Sequence, residues 1–376
     1  MGLVSRLTSK WGQQEWLGSD LGIALLLFVA SNVLVYSVVL IGSGFLPIEL
    51  PSFSGFCLAD CLWYADLTSG GYADGSTDTG LLRYANWAFF PLLPMLARGL
   101  VAVLPISAET ALILLGKLFL LGNIYAFIKL LRHYHPDVQP QWAGALVALN
   151  PFVIYMHAGY TESLYFLLLT LSFMALQRGY WWSGAIAALL SATRVVGVFF
   201  VLPYLLLAWQ RRDKQQWLSR RNLNWLLGLM LIPLGLALFM MFLDQQIGDP
   251  LAFKSVQIFW RRTLQNPIAV LIDGFRGFES GYYSLTAVLG MISIMVLIYC
   301  RQYALALFMI PALFVPLMTG LTSMPRFVFW QPPFLVALYF VFYRLHRLWP
   351  IYFAASGLWI AILALAWFVP SAVFRY

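Results

Sequence analysis

The sequence predicts an all-α polytopic membrane protein in which a single transmembrane domain covers residues 1–376. Two observations carry this prediction: 61% of the residues are hydrophobic and only 10% are charged. An ordinary soluble domain is roughly 45–50% apolar and about 25% charged, so a soluble fold of this size would leave too much apolar surface in water. The 15 Trp residues also suit aromatic belts at the two membrane interfaces.

The first long apolar run, residues 21–46, contains no charged residue. It is too long for the core of a signal peptide, and no small-residue cleavage site follows it, so it predicts a retained first span. A straight crossing needs about 20 apolar residues, and several later runs are shorter than that. The later runs lie at residues 88–105, 107–131, 142–157, 160–177, 181–193, 195–209, 223–243, 283–300, 303–321, 327–343 and 350–370.

Basic residues between the apolar runs set the predicted topology, because cytoplasmic loops carry an excess of Lys and Arg. All basic clusters fall inside if 88–105 is an interfacial helix and 181–209 is two short helices that meet near Arg194. This gives about 11 transmembrane helices, a cytoplasmic N-terminus and an outer C-terminus at Tyr376. The same bias accounts for the net charge of +8, so nucleic acid is not an expected partner. The strongest cluster is Arg211, Arg212, Lys214, Arg220 and Arg221.

The predicted topology places two long stretches, about 47–87 and 244–282, on the same outer face. Both are expected to be largely non-helical, and both are longer than a simple connection requires. Most of the acidic residues fall on that face as well. Long loops that carry acids beside a rigid scaffold are typical of a functional site.

Asp60 is the first candidate for chemistry, because it follows the first span and has Trp63 and Tyr64 beside it. A carboxylate can accept a proton from a hydroxyl group, and aromatic faces can pack against a sugar ring. Asp66 in the same loop is a further candidate for substrate binding. A solvated loop acid among interfacial aromatics would explain the same residues without chemistry.

Later segments supply candidates that the topology places on the same face as Asp60. Glu162, after Tyr160, opens a span; it either contacts substrate or favours the helix dipole at the N-terminus. Arg194 and Arg326 lie at outer helix ends, where they either bind a phosphate or snorkel to the interface. We expect both arginines to converge on one cavity with Asp60. Two more candidates in the second outer loop are Asp249 and Gln257.

The histidines, the cysteines and one lysine within a predicted span bear on metal binding, disulfide bonding and function. The histidines do not converge, so no metal site is expected, and no Gly-rich nucleotide loop of a common type is present. Cys57 and Cys61 are expected to be free thiols, with a disulfide between them as the alternative in an oxidising compartment. Lys117 lies in the middle of a span, where a charge is costly and marks a functional candidate.

Several motifs together resemble PIG-V-type mannosyltransferases, the group that includes GPI mannosyltransferase II. The resemblance covers residues 59–262. It departs from the family at Ala59, where members usually have Trp before the first-loop acid. The matching segments, in the family's order, are Asp60 with Trp63-Tyr64 and Gly71-Tyr72, Phe89-Phe90-Pro91-Leu92-Leu93-Pro94, Asn150-Pro151, Tyr160-Thr161-Glu162-Ser163, Thr193-Arg194 with Gly197, and Gly248-Asp249-Pro250-Leu251-Ala252-Phe253.

The resemblance implies a GT-C fold with interfacial helices in the first outer loop and with Asp60 as the base. It implies an inverting transfer of mannose, usually without a metal or other cofactor, from a polyprenyl- or dolichyl-phosphate-linked donor. The acceptor would be a glycolipid, a glycan or a protein. The short chain favours a prokaryotic homologue in the bacterial plasma membrane, with its site on the periplasmic face; a eukaryotic member would face the lumen of the endoplasmic reticulum.

Two other classes remain open at the level of the sequence. A multi-span lipid or solute transporter, or flippase, would have inverted repeats and several intramembrane charges, of which Lys117 and the short helices at 181–209 are the matching features. A structural or assembly protein would not need acids gathered on one face. Whether the two outer loops enclose one cavity would discriminate between these classes.

Overall fold

The computed structural model describes residues 19–46, 48, 52–73, 86–260 and 262–369, and no β-strand occurs among them. Five helices are long and apolar enough to cross a membrane. The prediction of an all-α chain with several candidate spans is therefore confirmed for this part of the chain. Both termini, Gly80 and Arg261 lie outside the described residues. The five candidate spans are Asp20–Gly42, Ala108–Tyr134, Arg220–Ile247, Phe278–Tyr299 and His346–Phe368.

The helices are numbered here in chain order. A bend at Pro233 separates two helices that together make the candidate span over Arg220–Ile247. The α-helices are α1 (Asp20–Gly42), α2 (Asp60–Ser69), α3 (Leu92–Val103), α4 (Ala108–Tyr134), α5 (Pro140–Ala148), α6 (Ile154–His157), α7 (Thr161–Gln177), α8 (Ser183–Ser191), α9 (Val201–Arg211), α10 (Arg220–Leu231), α11 (Leu234–Ile247), α12 (Ala252–Ser255), α13 (Pro267–Gly274), α14 (Phe278–Tyr299), α15 (Tyr303–Leu317), α16 (Met324–Phe329), α17 (Pro332–Arg344) and α18 (Trp349–Phe368). Short 3₁₀-helices are Phe53–Phe56, Asn86–Ala88, Val195–Phe200, Val256–Trp260 and His346–Leu348.

Two predicted short segments have the expected form. Helix α3 has 12 residues, which at about 1.5 Å per residue is too short for a hydrocarbon core of about 30 Å. Arg98 of α3 donates to the carbonyls of Thr68 and Ser69 at the end of α2, where a cation also complements the helix dipole. The pair of short helices predicted over 181–209 is present, with its break at Arg194.

Two expectations about the connections are wrong. The described residues of 47–87 and 244–282 are not largely non-helical, because they contain α2 and the segments α12, Val256–Trp260 and α13. The start of α13 carries clear signals: Asn266 accepts from two backbone N–H groups and Pro267 takes the first position. The apolar run 142–157 is also divided, because α5 ends at Ala148 and Asn150 turns the chain before α6.

Basic residues gather at one end of the helix bundle. Lys129 and Arg132, in the last turns of α4, each lie 2.6 Å from the carboxylate of Asp20 at the start of α1. Gln177 at the end of α7 donates to the hydroxyl of Tyr134, the last residue of α4. The start of α1 and the ends of α4 and α7 therefore share one end of the bundle.

The other predicted basic clusters join the same end. Arg211 donates to the carbonyl of Gln177, which places the end of α9 there. His135 packs against Tyr343, and the neighbouring Arg344 lies over the ring of Tyr299. The segregation of basic clusters to one end thus holds in the structure. The assignment of that end to the cytoplasm stays a prediction.

Candidate functional site

The start of α2 holds Asp60 in a closed turn. Cys57 and Cys61 form a disulfide with their Cα atoms 5.1 Å apart, so the prediction of free thiols is wrong. The 3₁₀-helix Phe53–Phe56 ends just before Cys57 and α2 begins at Asp60, and this reversal brings the two cysteines within the usual bonding range of about 4.4–6.8 Å. Ala59, between them, has a positive φ of 50°. The backbone on both sides of Asp60 is therefore fixed.

A glycine lets this turn pack against the bundle. Gly159 has φ +71°, and a Cβ there would lie 2.9 Å from the Sγ atom of Cys61, so a larger residue would push the turn away. The backbone N–H of Asp60 donates to the hydroxyl of Tyr160 at 3.2 Å. Gly159 also lies against Leu112 near the start of α4, which places the site away from the basic end.

Four charged side chains from distant segments meet at this point, and we call them the charged cluster: Asp60, Glu162, Arg194 and Arg326. Arg326 Nη1 lies 2.8 Å from Asp60 Oδ2, and Arg326 Nε lies 2.7 Å from Glu162 Oε1. Arg194 Nη1 lies 3.3 Å from the same Glu162 oxygen. The expected convergence of both arginines with Asp60 is therefore present in the geometry, while their roles in binding remain predictions.

Burial differs sharply between the two carboxylates of the charged cluster. The side chain of Glu162 has 0% exposure, whereas that of Asp60 is 30% exposed. Glu162 uses Oε1 to hold both arginines, and its Oε2 is buried with no hydrogen-bond partner among the described residues. Asp60 is therefore the carboxylate that a substrate can reach, and Glu162 is the internal counter-charge.

Aromatic rings surround the guanidinium groups. Arg326 lies 4.6 Å from the ring centroid of Tyr160 and 5.2 Å from that of Tyr155. Arg194 lies 5.6 Å from Tyr165. Ring faces attract cations and exclude water, so they hold these two arginines in place in a low-dielectric site.

Local sequence explains how the two arginines are positioned. Arg194 precedes the 3₁₀-helix Val195–Phe200, where a Cβ on Gly197 would lie 2.6 Å from the carbonyl oxygen of Leu190. Only glycine permits that close turn. Arg326 lies in α16, which begins after Ser323 at φ 70° and has Pro325 in its first turn.

Arg262 is a third arginine of the site that sequence reasoning did not single out. It lies 5.7 Å from the ring of Phe327, which Arg194 approaches at 5.1 Å. Burial lowers the pKa of Arg262, as do the positive charges of Arg326 and Arg194, and the charge of Asp60 partly offsets this. Among the described residues, Arg262 forms no ion pair with a carboxylate. The signal in the sequence was the basic pair Arg261-Arg262 directly after Trp260.

The charges of the site do not balance. Among the residues that the structure describes, the guanidinium groups of Arg194, Arg262 and Arg326 face the carboxylates of Asp60 and Glu162, which leaves one positive charge. Isolated charges in a low-dielectric site are costly unless they are paired. The excess therefore favours an anionic ligand beside Arg262.

An aromatic wall stands next to Asp60. The ring of Trp63, one helical turn after Asp60, stacks on Phe89 at 5.5 Å. Trp260 meets Trp63 at 6.1 Å and Phe89 at 6.2 Å in edge-to-face contacts. Tyr64 is buried, and its hydroxyl donates to Thr161 at 3.4 Å. The first and second outer loops of the prediction thus meet in this wall.

Three of the sequence candidates make local hydrogen bonds. Asp66 accepts from the side chain of Asn86 at 3.0 Å, tying α2 to the 3₁₀-helix Asn86–Ala88. Asp249 accepts from the backbone of Leu251 and from Ser255, as a turn acid does. Gln257 donates to the carbonyl of Phe253.

None of the hydrogen bonds or ion pairs among the described residues joins these three to the charged cluster. The carbonyl of Gln257 does accept from the backbone N–H of Arg262 at 3.1 Å, and the substrate-binding roles of all three stay predictions. No group of three His, Cys, Asp or Glu side chains suited to a metal occurs in the described ranges either.

Lys117 has partners that the sequence could not name. Its ammonium donates to Asn32 Oδ1 at 2.7 Å and contacts Nδ1 of His157. His157 reaches Ser31 through Nε2 at 3.2 Å, and the ring of Tyr36 lies 4.9 Å from the ammonium. These contacts join helices α1, α4 and α6.

Comparison of the chain with protein-family models gives no match, and comparison with curated protein sequences gives none either.

Proposed function

We propose that this protein is a GT-C-type membrane glycosyltransferase that moves a sugar from a polyprenyl- or dolichyl-phosphate donor to an acceptor hydroxyl. The supporting observation is that Asp60 is the accessible carboxylate of the charged cluster, and that Arg262 beside the cluster adds a positive charge for which the described residues supply no carboxylate. The resemblance of the sequence motifs favours mannose as the sugar and inversion at the anomeric carbon. An excess of cationic groups next to a reachable base is what this reaction requires.

In the proposed step, Asp60 takes the proton of the acceptor hydroxyl as its oxygen bonds to the anomeric carbon. The bond from that carbon to the phosphate oxygen breaks, and its electron pair leaves with the lipid phosphate. Protonation removes the negative charge that Asp60 presents to Arg326, while the leaving phosphate gains negative charge. Arg326 then shifts its interaction from Asp60 to the phosphate, and Arg262 and Arg194 add further neutralisation.

Apolar surface around Arg262 supports a lipid-linked donor rather than a soluble one. Ile258 is 61% exposed, Leu264 is 66% exposed and Ile268 is 64% exposed. With the donor phosphate beside Arg262, the lipid chain attached to that phosphate would lie along these exposed apolar side chains. Trp63, Phe89 and Trp260 supply ring faces for the sugar.

The Lys117 contacts favour a second candidate, a transporter, because charges buried within spans often mark ion or substrate pathways. A direct test separates the two. Purified protein is given radiolabelled polyprenyl-phosphate-mannose together with a membrane-lipid and glycan extract. The proposal expects label to move from the donor into lipid, glycan or protein. Movement of intact donor across a vesicle membrane without transfer of label would favour the transporter.

The placement of the site on the periplasmic or lumenal face and the count of about 11 spans belong to this proposal. They rest on the distribution of basic residues and on the separation of the basic end from the charged cluster.

A further inference from the structure

A basic loop joins α9 to α10 at the end of the bundle that holds Arg211. It runs over residues 212–219 and precedes the candidate span Arg220–Ile247, so it lies where a helix pair enters a membrane surface. Exposed cationic side chains flank and occupy this loop. They are Arg211, Lys214, Arg220 and Arg221, with Arg212 half-buried over the ring of Trp209.

One side chain holds the loop in a defined shape. Asn222 Oδ1 accepts from the backbone of Asp213, and Asn222 Nδ2 donates to the carbonyls of Asp213, Gln216 and Trp217. The hydroxyl of Ser219 accepts from the backbone of Asn222 and caps α10. The loop is therefore built around Asn222 rather than left to fluctuate.

The acid of the loop offsets only part of the cationic charge, because it is one carboxylate beside five basic side chains. Asp213 accepts from the backbone N–H groups of Gln215 and Gln216 at 2.9 and 3.1 Å, and these bonds, together with the positive charge of Arg221, lower its pKa. The basic pair on α4 differs, since Lys129 and Arg132 share the carboxylate of Asp20. Among the basic groups at this end, the loop therefore offers charge that the fold has not already neutralised.

Two apolar side chains project from the centre of the loop. Trp217 is 78% exposed and Leu218 is 83% exposed, although Asn222 fixes the backbone next to them. Apolar tips between cations suit a membrane interface, where the tips enter the acyl boundary and the cations meet phosphate groups. A soluble acidic partner would leave these two side chains without an apolar environment.

We propose that the loop between α9 and α10 is a binding site for anionic phospholipid headgroups. Trp217 and Leu218 insert between the lipids, and Lys214, Arg220 and Arg221 bind the phosphates. The site lies at the end of the bundle away from the charged cluster, and it does not depend on the proposed transferase activity. It would anchor the tilt of α9 and α10 in anionic membranes.

The test counts lipids retained by the purified protein in native mass spectrometry, with phosphatidylglycerol as the probe and phosphatidylcholine as the reference. The triple variant Lys214→Gln, Arg220→Gln, Arg221→Gln is compared with Arg301→Gln, Arg344→Gln, Arg347→Gln. The second triple removes the same charge from exposed positions at the same end. A cation in contact with a bound anionic headgroup contributes about 1 kcal/mol, so removing the three loop cations should weaken phosphatidylglycerol binding about a hundredfold.

The control triple should retain phosphatidylglycerol binding within a few-fold, and added salt should weaken the wild type toward the loop variant. Equal losses in the two triples would overturn the proposal, because diffuse surface charge would then explain the binding. Unchanged binding in the loop triple, or a preference for an RNA homopolymer over phosphatidylglycerol, would overturn it as well. If the triple does not fold, Lys214→Glu alone and Trp217→Ala with Leu218→Ala must each weaken phosphatidylglycerol binding.

Discussion

Arg326 Nη1 lies 2.8 Å from Asp60 Oδ2, although the two residues belong to opposite halves of the chain. The same guanidinium holds Glu162 through Nε. Arg326 thus connects an accessible carboxylate to a buried one. In the proposed reaction, protonation of Asp60 weakens its ion pair with Arg326, and Arg326 can then bind the leaving phosphate.

Glu162→Gln should reduce stability strongly. The substitution keeps the size of the side chain but removes the charge that holds Arg194 and Arg326. Breaking a buried ion pair by removing one partner costs about 3–5 kcal/mol. Thermal unfolding of the purified protein in detergent measures the loss, with the exposed variant Glu279→Gln as the control. A melting temperature unchanged from the wild type would show that Glu162 is not the counter-charge of these arginines.

Arg262→Gln should weaken donor binding and leave the fold intact, because Arg262 has no carboxylate partner among the described residues. A hydrogen bond to a charged group contributes about 1.5–3 kcal/mol, so KM for a polyprenyl-phosphate-sugar should rise about 10–100-fold. Arg276→Gln removes an 80% exposed arginine from the same region and serves as the control. An equal KM for the wild type and the Arg262 variant would remove this arginine from the site.

Removal of the Cys57–Cys61 disulfide should destabilise the turn that carries Asp60. Alkylation of the denatured protein without reduction should modify Cys300 among the three cysteines, and reduction should expose the other two. A short closed loop of this kind contributes about 2 kcal/mol in the chain-entropy description. Cys57→Ala with Cys61→Ala should lower turnover more than it raises KM, because the base is displaced. Modification of all three cysteines before reduction would contradict the disulfide.

The sidedness of the site can be measured with impermeant maleimide. Ser69→Cys places an exposed thiol at the end of α2, on the side of the site, and native Cys300 lies beside Tyr299 at the basic end. In intact cells the reagent should modify Ser69→Cys and not Cys300, and permeabilisation should make Cys300 reactive. The reverse pattern would place the charged cluster on the cytoplasmic side.

Much of this arrangement follows from the order of apolar runs and basic clusters. Asp60, Glu162, Arg194 and Arg326 were assigned to one face by counting spans, and all four meet in the fold. Side-chain partners are harder to predict, because they depend on how helices rotate against one another. Lys117 and His157 lie on different helices, and no periodicity in the sequence relates them.

Residues in the connections are harder to assign from the sequence. Asp249 and Asp66 were predicted to bind substrate, and the fold shows their carboxylates accepting hydrogen bonds from local turn and loop groups. Arg262 was not among the predicted site residues, because Trp260-Arg261-Arg262 fits an amphipathic interfacial helix equally well. Arg262 belongs to the site because it lies near Phe327, Arg194 and Arg326, and these residues are distant from it in the sequence.

Turnover of the Asp60→Asn variant is the most direct test of the proposed base. Asparagine preserves the shape of the side chain and removes its basicity, and general-base catalysis contributes roughly 10²–10⁴-fold in rate. We therefore expect transfer from a radiolabelled polyprenyl-phosphate-mannose to fall by about that factor, with donor binding and melting temperature retained. Near-normal turnover in Asp60→Asn, together with complete loss in a folded Glu162→Gln protein, would contradict the account and make Glu162 the base.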